Sequence, residues 1–409
     1  MKKLIILSLF ILEITANPTP RRFVSTAERV TGHGYPLEEH KVQTSDGYVL
    51  TMFRIPYSPT LNNKYETNKK VVFLMHGLLS SSDSWVLNGP NDAMAFMMAD
   101  AGYDVWMGNA RGNVYSKKHA SISPLLPSFW DFDWHEIALY DLPAMIDYTL
   151  YQTGQDGIHY IGHSQGTTVF MVLLSTIPRY NEKIKTSHLL APVGFMNNMQ
   201  SPLAKIAAPF LGHPSLLAEL IGSSEFMPSN KLITMLGPEI CQEKSPFIPM
   251  CSNILFLIGG WDSSHFNYTL MEDTMETHPA GSSTGQLIHY LQEYESGFFR
   301  NYDHGRIRNK KIYGTKVAPD YFVQNIHPST PINFFYSDND YFSAVEDVHR
   351  MADILGKHVK LFRVSYTDYN HLDFLWAIDI KDVINACVVD LVNEYENRPF
   401  KGNLCKYFI

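Results

Sequence analysis

The sequence has few cysteines and little that would support binding to nucleic acid or metal. Only 4 of its 409 residues are cysteine, so a dense disulfide framework does not hold the fold together. The formal net charge is −8 at pH 7, and no basic face is concentrated along the chain, which argues against a nucleic-acid partner. We find no internal repeat, no low-complexity tract and no group of His and Cys at metal-ligand spacing, and therefore expect no metal site.

Long hydrophobic runs are also scarce, and the one at the N-terminus has the layout of a targeting segment. Lys2 and Lys3 precede an apolar stretch from Leu4 to Leu12, and the small Ala16 precedes two prolines. This pattern predicts a cleaved secretory signal over residues 1–16. A short buried strand or a membrane anchor is the alternative, but the stretch is too short to span a bilayer. No later segment has the length of a transmembrane helix, so we expect a soluble, exported protein.

The cysteines and one asparagine fit export. Cys241 and Cys251 lie close together in a proline-bearing segment, which suits a local disulfide in an oxidising compartment. Cys387 lies in an apolar helical pattern and is interpreted as a buried structural thiol, with its pairing to Cys405 left open. Asn267 begins the only N-x-S/T sequon and is a candidate glycosylation site.

Short apolar runs alternate with helical patterns along most of the chain. Six runs are predicted to be buried strands: 71–77, 103–108, 158–164, 188–192, 332–337 and 361–366. Helical patterns cover 133–150 and 167–177. This alternation predicts an α/β fold with a mostly parallel sheet and helices on both faces. From about Pro192 to Pro331 the alternation is interrupted, which we interpret as an insertion.

A G-x-S-x-G motif lies where a predicted strand meets a predicted helix. In Gly162-His163-Ser164-Gln165-Gly166 this context is typical of a strained nucleophile elbow, with Ser164 as the nucleophile. A side chain two positions before or after the serine would crowd the sharp turn. The motif alone also occurs by chance, so the strand-turn-helix context carries the prediction.

A serine nucleophile needs a base and an acid. His371 lies in a loop between the last predicted strand and the C-terminal helix, and Asp338 and Asp340 directly follow the preceding strand. The order serine, aspartate, histidine is that of the α/β-hydrolases. Spacing alone does not choose between the two aspartates, because one of them could cap the next helix.

An oxyanion hole needs two backbone N–H groups aimed at one point. Gln165 should supply one, since it follows the nucleophile and begins a helix. Leu78, in the loop after His76-Gly77, should supply the other. Taken alone, His76-Gly77 is better explained as an ordinary turn at the end of a strand.

Taken together, the motifs resemble the acid lipase family that includes gastric and lysosomal acid lipases. The resemblance extends over almost everything after the signal and rests on these segments: GYPLEEHKVQTSDGYVL, HGLL, DVWMGNARGN, FWDFDWHEIALYDLPAMIDY, GHSQGTT, CSNILFLIGG, FNYT, HPAGSS and YNHLDFLWA. It implies an α/β-hydrolase fold, the triad Ser164, Asp340 and His371, oxyanion donors Leu78 and Gln165, and a Cys241–Cys251 disulfide. One departure is Ser337-Asp338-Asn339, where close relatives have a glycine-rich turn before the acid.

We therefore predict a secreted or lysosomal lipase that hydrolyses triacylglycerols or cholesteryl esters at a lipid–water interface without cofactor or metal. A carboxylesterase or acyltransferase on smaller esters and a non-enzymatic lipid-binding relative are the alternatives. The predicted domains are a signal at 1–16, core segments at 17–195 and 326–409, and a mostly helical cap with a lid at 196–325. The apolar stretch 201–237 is assigned to the lid, although such helices also pack a cap's own core.

Overall fold

The computed structural model describes residues 23–227, 259–261, 263–399 and 405–409. The predicted signal, Cys241 and Cys251 lie outside the described residues. No described helix combines the length and the apolar character that a bilayer crossing requires.

A mostly parallel sheet of eight strands forms the centre of the molecule, in the order β1-β2-β4-β3-β5-β6-β9-β10. The two pairs that involve β2 are antiparallel, and the other five are parallel. The strands are β1 (Glu38–Gln43), β2 (Val49–Ile55), β3 (Val71–Met75), β4 (Asp104–Met107), β5 (Ile158–His163), β6 (Ile184–Leu190), β9 (Ile332–Tyr336) and β10 (Val359–Arg363). A separate pair joins β7 (Glu225–Phe226) to β8 (Ser282–Ser283). The predicted α/β-hydrolase fold class is confirmed.

All six predicted strands are present, and the structure adds β1 and β2. The residues of β1 alternate between half-buried and exposed, because it is an edge strand with only one neighbour. An edge strand lacks the continuous apolar run that identifies a strand buried on both faces.

Helices connect the strands. The described helices are α1 (Thr26–Gly32), α2 (Met94–Asp100), α3 (Trp134–Glu136), α4 (Leu142–Thr153), α5 (Gln165–Thr176), α6 (Pro202–Leu211), α7 (Leu216–Gly222), α8 (Met271–Thr277), α9 (Thr284–Ser296), α10 (Arg306–Ile312), α11 (Val345–Leu355), α12 (Asp373–Trp376) and α13 (Ala386–Tyr395). A π-helical turn at Ile137–Asp141 joins α3 to α4, and another at Lys381–Asn385 leads into α13.

Two hydrophobic cores lie on opposite faces of the sheet. Val71, Phe73 and Met75 of β3 belong to one core, while the intervening Val72 and Leu74 belong to the other. This alternation is the period of a strand. Helices α4 and α5 cover the first face, and α2 and α13 cover the second.

Neighbouring strands β6 and β9 pair in parallel although a long segment separates them in the chain. The described elements of that segment are mainly helices α6 to α10. The boundaries 195/196 and 325/326 of a cap domain stay predictions.

Cys387 forms a disulfide with Cys405, with a Cα–Cα distance of 4.7 Å. This answers the question of pairing that the sequence left open. The interpretation of Cys387 as a thiol is wrong, although its side chain is fully buried in α13. Burial in an apolar helix and disulfide formation are compatible, because the C-terminal segment brings Cys405 to the helix. The helical pattern around Cys387 carried no information about that return.

Candidate active site

Ser164 lies between the end of β5 and the start of α5. Its backbone has φ 52° and ψ −118°. Residues other than glycine rarely adopt this conformation, so the surrounding structure must impose it. The Ser164 N–H donates to the carbonyl oxygen of Leu190 at 3.0 Å, which ties the turn to β6. The serine is half-buried, at the carboxyl end of the central parallel strands.

Glycines flank this turn because two chain segments approach each other closely there. A Cβ atom on Gly166 would lie 2.3 Å from the carbonyl oxygen of Met75, at the end of β3. A Cβ atom on Gly162 would lie 3.0 Å from the Gly166 carbonyl carbon and oxygen. Glycine at both positions lets α5 begin directly against the sheet.

A continuous chain of hydrogen bonds joins Ser164, His371 and Asp340. The Nε2 atom of His371 lies 2.8 Å from Ser164 Oγ. Its Nδ1 atom lies 2.8 Å from Asp340 Oδ2 and 2.9 Å from Oδ1. Asp340 and His371 are almost completely buried. Because a carboxylate can only accept, Nδ1 carries a proton and Nε2 is free to accept one from the serine.

The two candidate aspartates have different partners. Asp340 Oδ1 also accepts from the N–H groups of Phe342 and Ser343, at 2.9 and 2.7 Å. Asp338 is exposed and forms a two-point ion pair with Arg363 of β10, at 2.9 and 2.6 Å. The structure brings Asp340 to the histidine and directs Asp338 away from it.

The loops that carry Asp340 and His371 share one hydrogen-bond acceptor. Gly259 accepts through its carbonyl oxygen from the His371 N–H at 3.1 Å and from the Tyr341 N–H at 3.3 Å. A residue of the long segment between β6 and β9 therefore bridges the two loops.

Asn339 strengthens the same bridge. Its side-chain Nδ2 donates to the carbonyl oxygens of Trp261 and Asp368, at 2.7 and 2.8 Å. The departure from a glycine-rich turn thus places an amide where it can hold the base loop. Sequence reasoning treated Ser337-Asp338-Asn339 only as a departure and missed this contact.

His163, directly before Ser164, contacts the backbone of His371 from the other side. Its Nε2 lies 3.0 Å from the carbonyl oxygen of His371, so Nε2 must carry the proton and donate. Burial lowers the pKa of His163 well below its ordinary value, and the imidazole stays neutral. Sequence reasoning missed this residue, because nothing in its spacing distinguishes it from the variable position of the elbow motif.

The loop after β3 lies against the nucleophile. A Cβ atom on Gly77 would be 3.0 Å from the Cβ atom of Ser164, so only glycine fits without displacement. His76 accepts at Nε2 from the Ala110 N–H, at 3.0 Å, and burial lowers its pKa to about 4. Leu78 follows, half-buried. The interpretation of His76-Gly77 as an ordinary turn at the end of a strand does not account for this close approach of Gly77 to Ser164.

Gln165 is the first residue of α5. An N–H group in the first turn of a helix has no partner within that helix, so the Gln165 N–H remains available beside the serine. Its side-chain Nε2 donates to Gln286 Oε1 at 2.6 Å, which fixes the residue to helix α9.

The sequon asparagine lies outside this cluster. Asn267 caps a short turn and accepts through Oδ1 from the Thr269 N–H at 3.1 Å and from its hydroxyl at 2.6 Å. Its glycosylation stays a prediction, as does the Cys241–Cys251 disulfide.

Comparisons with known proteins agree on one family. The family described as "alpha/beta hydrolase fold" matches residues 70–377, and the one described as "Partial alpha/beta-hydrolase lipase region" matches residues 26–89. Lipase 3 of Drosophila melanogaster is 48% identical over 369 residues, which cover 90% of this chain and 93% of that protein. Gastric triacylglycerol lipase of Mus musculus is 38% identical over 376 residues, with 92% and 93% covered. A solved structure from Sulfolobus solfataricus has the same fold, with a TM-score of 0.56 at 15% identity over 88% of this chain and 93% of that one.

Proposed function

Since this chain belongs to the α/β-hydrolase lipases, the family that includes gastric triacylglycerol lipase, we propose that it cleaves neutral-lipid esters with Ser164, His371 and Asp340. Lipases are carboxylic ester hydrolases, and the predicted resemblance to the acid lipases is confirmed. The substrate class and the roles of individual residues are our proposal. The observation that carries it is the hydrogen-bond chain from Ser164 Oγ through His371 to Asp340.

Acylation begins at the serine. His371 Nε2 takes the hydroxyl proton as Ser164 Oγ attacks the ester carbonyl carbon, and a tetrahedral oxyanion forms. Asp340 keeps Nδ1 protonated, orients the ring and stabilises the imidazolium. The imidazolium then gives its proton to the alkoxide of the departing alcohol, and the acyl-serine remains.

The N–H groups of Leu78 and Gln165 are proposed to stabilise both oxyanions. The contact between Gly77 and Ser164 and the position of Gln165 at the start of α5 support these roles. Removing one such donor typically costs roughly 3 to 4 kcal/mol of transition-state stabilisation. Water attacks the acyl-serine with His371 as base, and collapse of the second oxyanion releases the fatty acid.

Helix α6 supports action at a lipid surface. Three of its large apolar side chains, Leu203, Ile206 and Phe210, are 51%, 70% and 68% exposed, while Leu211 at its end packs against the core. A helix that packed a cap core would bury its large side chains instead. This pattern favours lipid contact over the packing alternative for the stretch 201–237, of which residues 228–237 lie outside the described residues.

We also propose that the enzyme works outside the cytosol, in a secretory or lysosomal compartment. The Cys387–Cys405 disulfide supports this, since such bonds persist mainly in oxidising compartments. The apolar N-terminal segment with its leading lysines supports it independently.

The test compares substrates across pH. Purified protein would be assayed on emulsified triacylglycerol, emulsified cholesteryl ester and a short soluble fluorogenic ester. We expect higher turnover on at least one emulsion than on the soluble ester. Turnover confined to the soluble ester would favour a carboxylesterase, ester formation with an added alcohol would favour an acyltransferase, and lipid binding without turnover would favour a non-enzymatic relative.

A further inference from the structure

The loop that carries Leu78 has a strained backbone. Leu79 has a φ of 59°, in the left-handed region, which costs a branched residue roughly 1 to 2 kcal/mol. Such a conformation persists only where neighbouring groups hold it. Asn109 and Asn113 hold part of this loop, and further neighbours come from the HPAGSS motif, residues 278–283, which has no part in the proposed chemistry.

Three contacts join the motif to the loop and to the short helical turn that follows it. The Ala280 N–H donates to the carbonyl oxygen of Leu79 at 2.7 Å. One residue further along the loop, Ser80 Oγ lies 3.1 Å from Nε2 of His278, and Ser84 Oγ lies 3.0 Å from the same atom. The two hydroxyl oxygens lie 2.5 Å apart.

We propose that His278 is a positioning residue which, by accepting a serine hydroxyl at Nε2, holds the Leu78 N–H where an oxyanion forms. The proposal rests on the proposed function, because it assumes the oxyanion role of Leu78. His278 touches neither the serine nucleophile nor its base and would act only through the loop.

The hydrogen-bond partners of the His278 ring determine its tautomer. Thr277 Oγ1 lies 2.8 Å from the carbonyl oxygen of Asp273, one helical turn back, where a helical threonine hydroxyl commonly donates. The Thr277 Oγ1 atom therefore accepts a hydrogen bond from Nδ1 of His278, at 2.9 Å. With its proton on Nδ1, the ring accepts at Nε2. One serine hydroxyl donates to Nε2 of the ring, and the second serine hydroxyl donates to the oxygen of the first, so both hydroxyl protons have an acceptor.

Burial keeps the ring in this acceptor state. Burial, together with the nearby His76, lowers the pKa of His278 to about 3. Trp376, five residues after the base, packs edge-on against the ring with centroids 4.8 Å apart. The ring is held between the Leu78 loop and the helix that follows His371.

Loss of the acceptor would release the loop without touching the triad. The serine hydroxyl that donates to the ring would lose its acceptor, and Leu79 would lose part of what holds its conformation. Small displacements at a reacting centre cost large factors in rate, on the order of 10²-fold for 1 Å. We therefore expect His278→Ala to lower kcat by about 10- to 100-fold while KM on a soluble ester changes by less than about 2-fold.

A pair of amide variants tests the acceptor itself. The Oε1 atom of glutamine reaches the place of Nε2, whereas the Oδ1 atom of asparagine reaches only the place of Nδ1. His278→Gln should stay within about 5-fold of the normal kcat, and His278→Asn should be as slow as His278→Ala. Equal activity of the Gln and Asn variants would overturn the proposal, even if the alanine variant did not fold.

The matched control is His159, a fully buried histidine near the amino end of β5 whose ring contacts the Thr186 hydroxyl at 2.8 Å. His159→Ala should lower the melting temperature with little change in kcat. If it lowers kcat as much as His278→Ala at equal folded fraction, the effect is general destabilisation and the proposal is wrong.

An alkyl boronic acid gives a readout of the oxyanion geometry. Ser164 Oγ bonds to boron, its proton passes to His371, and the resulting tetrahedral boronate resembles the oxyanion intermediate. Its Ki should rise in the His278→Ala and His278→Asn variants in parallel with the loss of kcat/KM, and an unchanged Ki would overturn the proposal. Failure of the proposed function itself is recognised separately, by normal turnover in a folded Ser164→Ala protein.

Discussion

The sheet core and helix α6, which lies between β6 and β9, differ in the exposure of their large apolar side chains. In the core, Phe73 and Trp106 are fully buried. In helix α6 of the inserted segment, Ile206 and Phe210 are about two-thirds exposed, while Ala208 is buried. The sheet core buries its large side chains between strands and helices, whereas α6 exposes two of them although nearby Ile288, Leu291 and Phe299 of the same segment are buried.

The sheet core and helix α6 therefore have different tasks in the proposed function. Buried strands and close glycine contacts hold the nucleophile turn in a conformation it would not adopt alone. Exposed apolar helices can bind a lipid surface that the rigid core does not contact. Changes in the core should therefore act on every substrate, and changes on α6 should act only on emulsions.

The largest effect is expected for Ser164→Ala. Without the nucleophile, kcat should fall by roughly 10⁶-fold on soluble and emulsified esters alike, as for other triad serines. The small residual rate would come from the oxyanion hole and binding. Kinetic assays on both substrates, with circular dichroism as the measure of folding, provide the test.

Because alanine is smaller than serine and Ser164 is half-buried, the variant should stay folded. Near-normal activity in the folded variant would contradict the hydrolase mechanism. A loss on emulsions alone would break the comparison between the two regions.

The second prediction separates the two aspartates of one turn. Asp340→Asn should lower kcat by about 10⁴-fold, because an amide no longer orients the imidazole tautomer. Asp338→Asn is the matched control. It weakens only an exposed ion pair with Arg363 and should keep kcat within about 2-fold, since exposed pairs contribute little.

Stopped assays on a soluble ester, with melting temperatures measured in parallel, distinguish the two variants. If Asp338→Asn is the inactive one, the acid has been assigned to the wrong aspartate of the turn.

The sequence predicts much of the core because its signals are local. Five of the six predicted strands are buried on both faces and appear as continuous apolar runs, and Ser164 appears because a strained turn requires Gly162 and Gly166 beside it. These features depend on residues within a few positions of one another. His371 is instead predicted from the order of the strands and loops along the chain.

Features that depend on distant segments could not be predicted from spacing or local pattern, and only the family resemblance chose Asp340 over Asp338. Asp340 differs from Asp338 only through which loop it meets, and Cys387 meets Cys405 only after the C-terminus returns to α13. The support of His371 by His163 spans 208 positions in the chain. The sequence shows the residue types there but not the tertiary contacts that give them roles.

The third prediction concerns the exposed face of α6. The double variant Ile206→Ser, Phe210→Ser should lower activity on emulsions by roughly 5- to 10-fold, because two exposed apolar side chains would no longer enter the lipid. Activity on a soluble ester should be unchanged, since neither side chain contributes to a buried core.

Tyr151→Ser is the matched control from the core region, because Tyr151 is 82% exposed at the end of α4. It should leave both activities unchanged. Equal losses on soluble and emulsified substrates in the α6 variant would instead favour a packing role for this helix.

The smallest expected effect is on stability, at a carboxyl group where the two regions meet. Asp373 begins α12 directly after the base loop, and burial raises its pKa to about 7. It accepts from the Asn370 N–H at 2.7 Å, and His265 from the segment between β6 and β9 and Asp379 also act on it electrostatically.

In the unfolded chain the carboxyl group ionises near its ordinary pKa of 3.8, so folding takes up a proton between about pH 4 and pH 7. The unfolded state binds fewer protons in this window, and the contribution of Asp373 to stability falls as the pH rises.

The Asp373→Asn variant removes that pH dependence. Its melting temperature should be close to that of the unmodified protein at pH 4 and higher by roughly 2 to 4 °C at pH 8. The exposed Asp353→Asn serves as control and should show no such trend in a pH series of thermal unfolding. A difference in melting temperature that stays constant from pH 4 to pH 8 would show that Asp373 is ionised throughout this range in the folded protein.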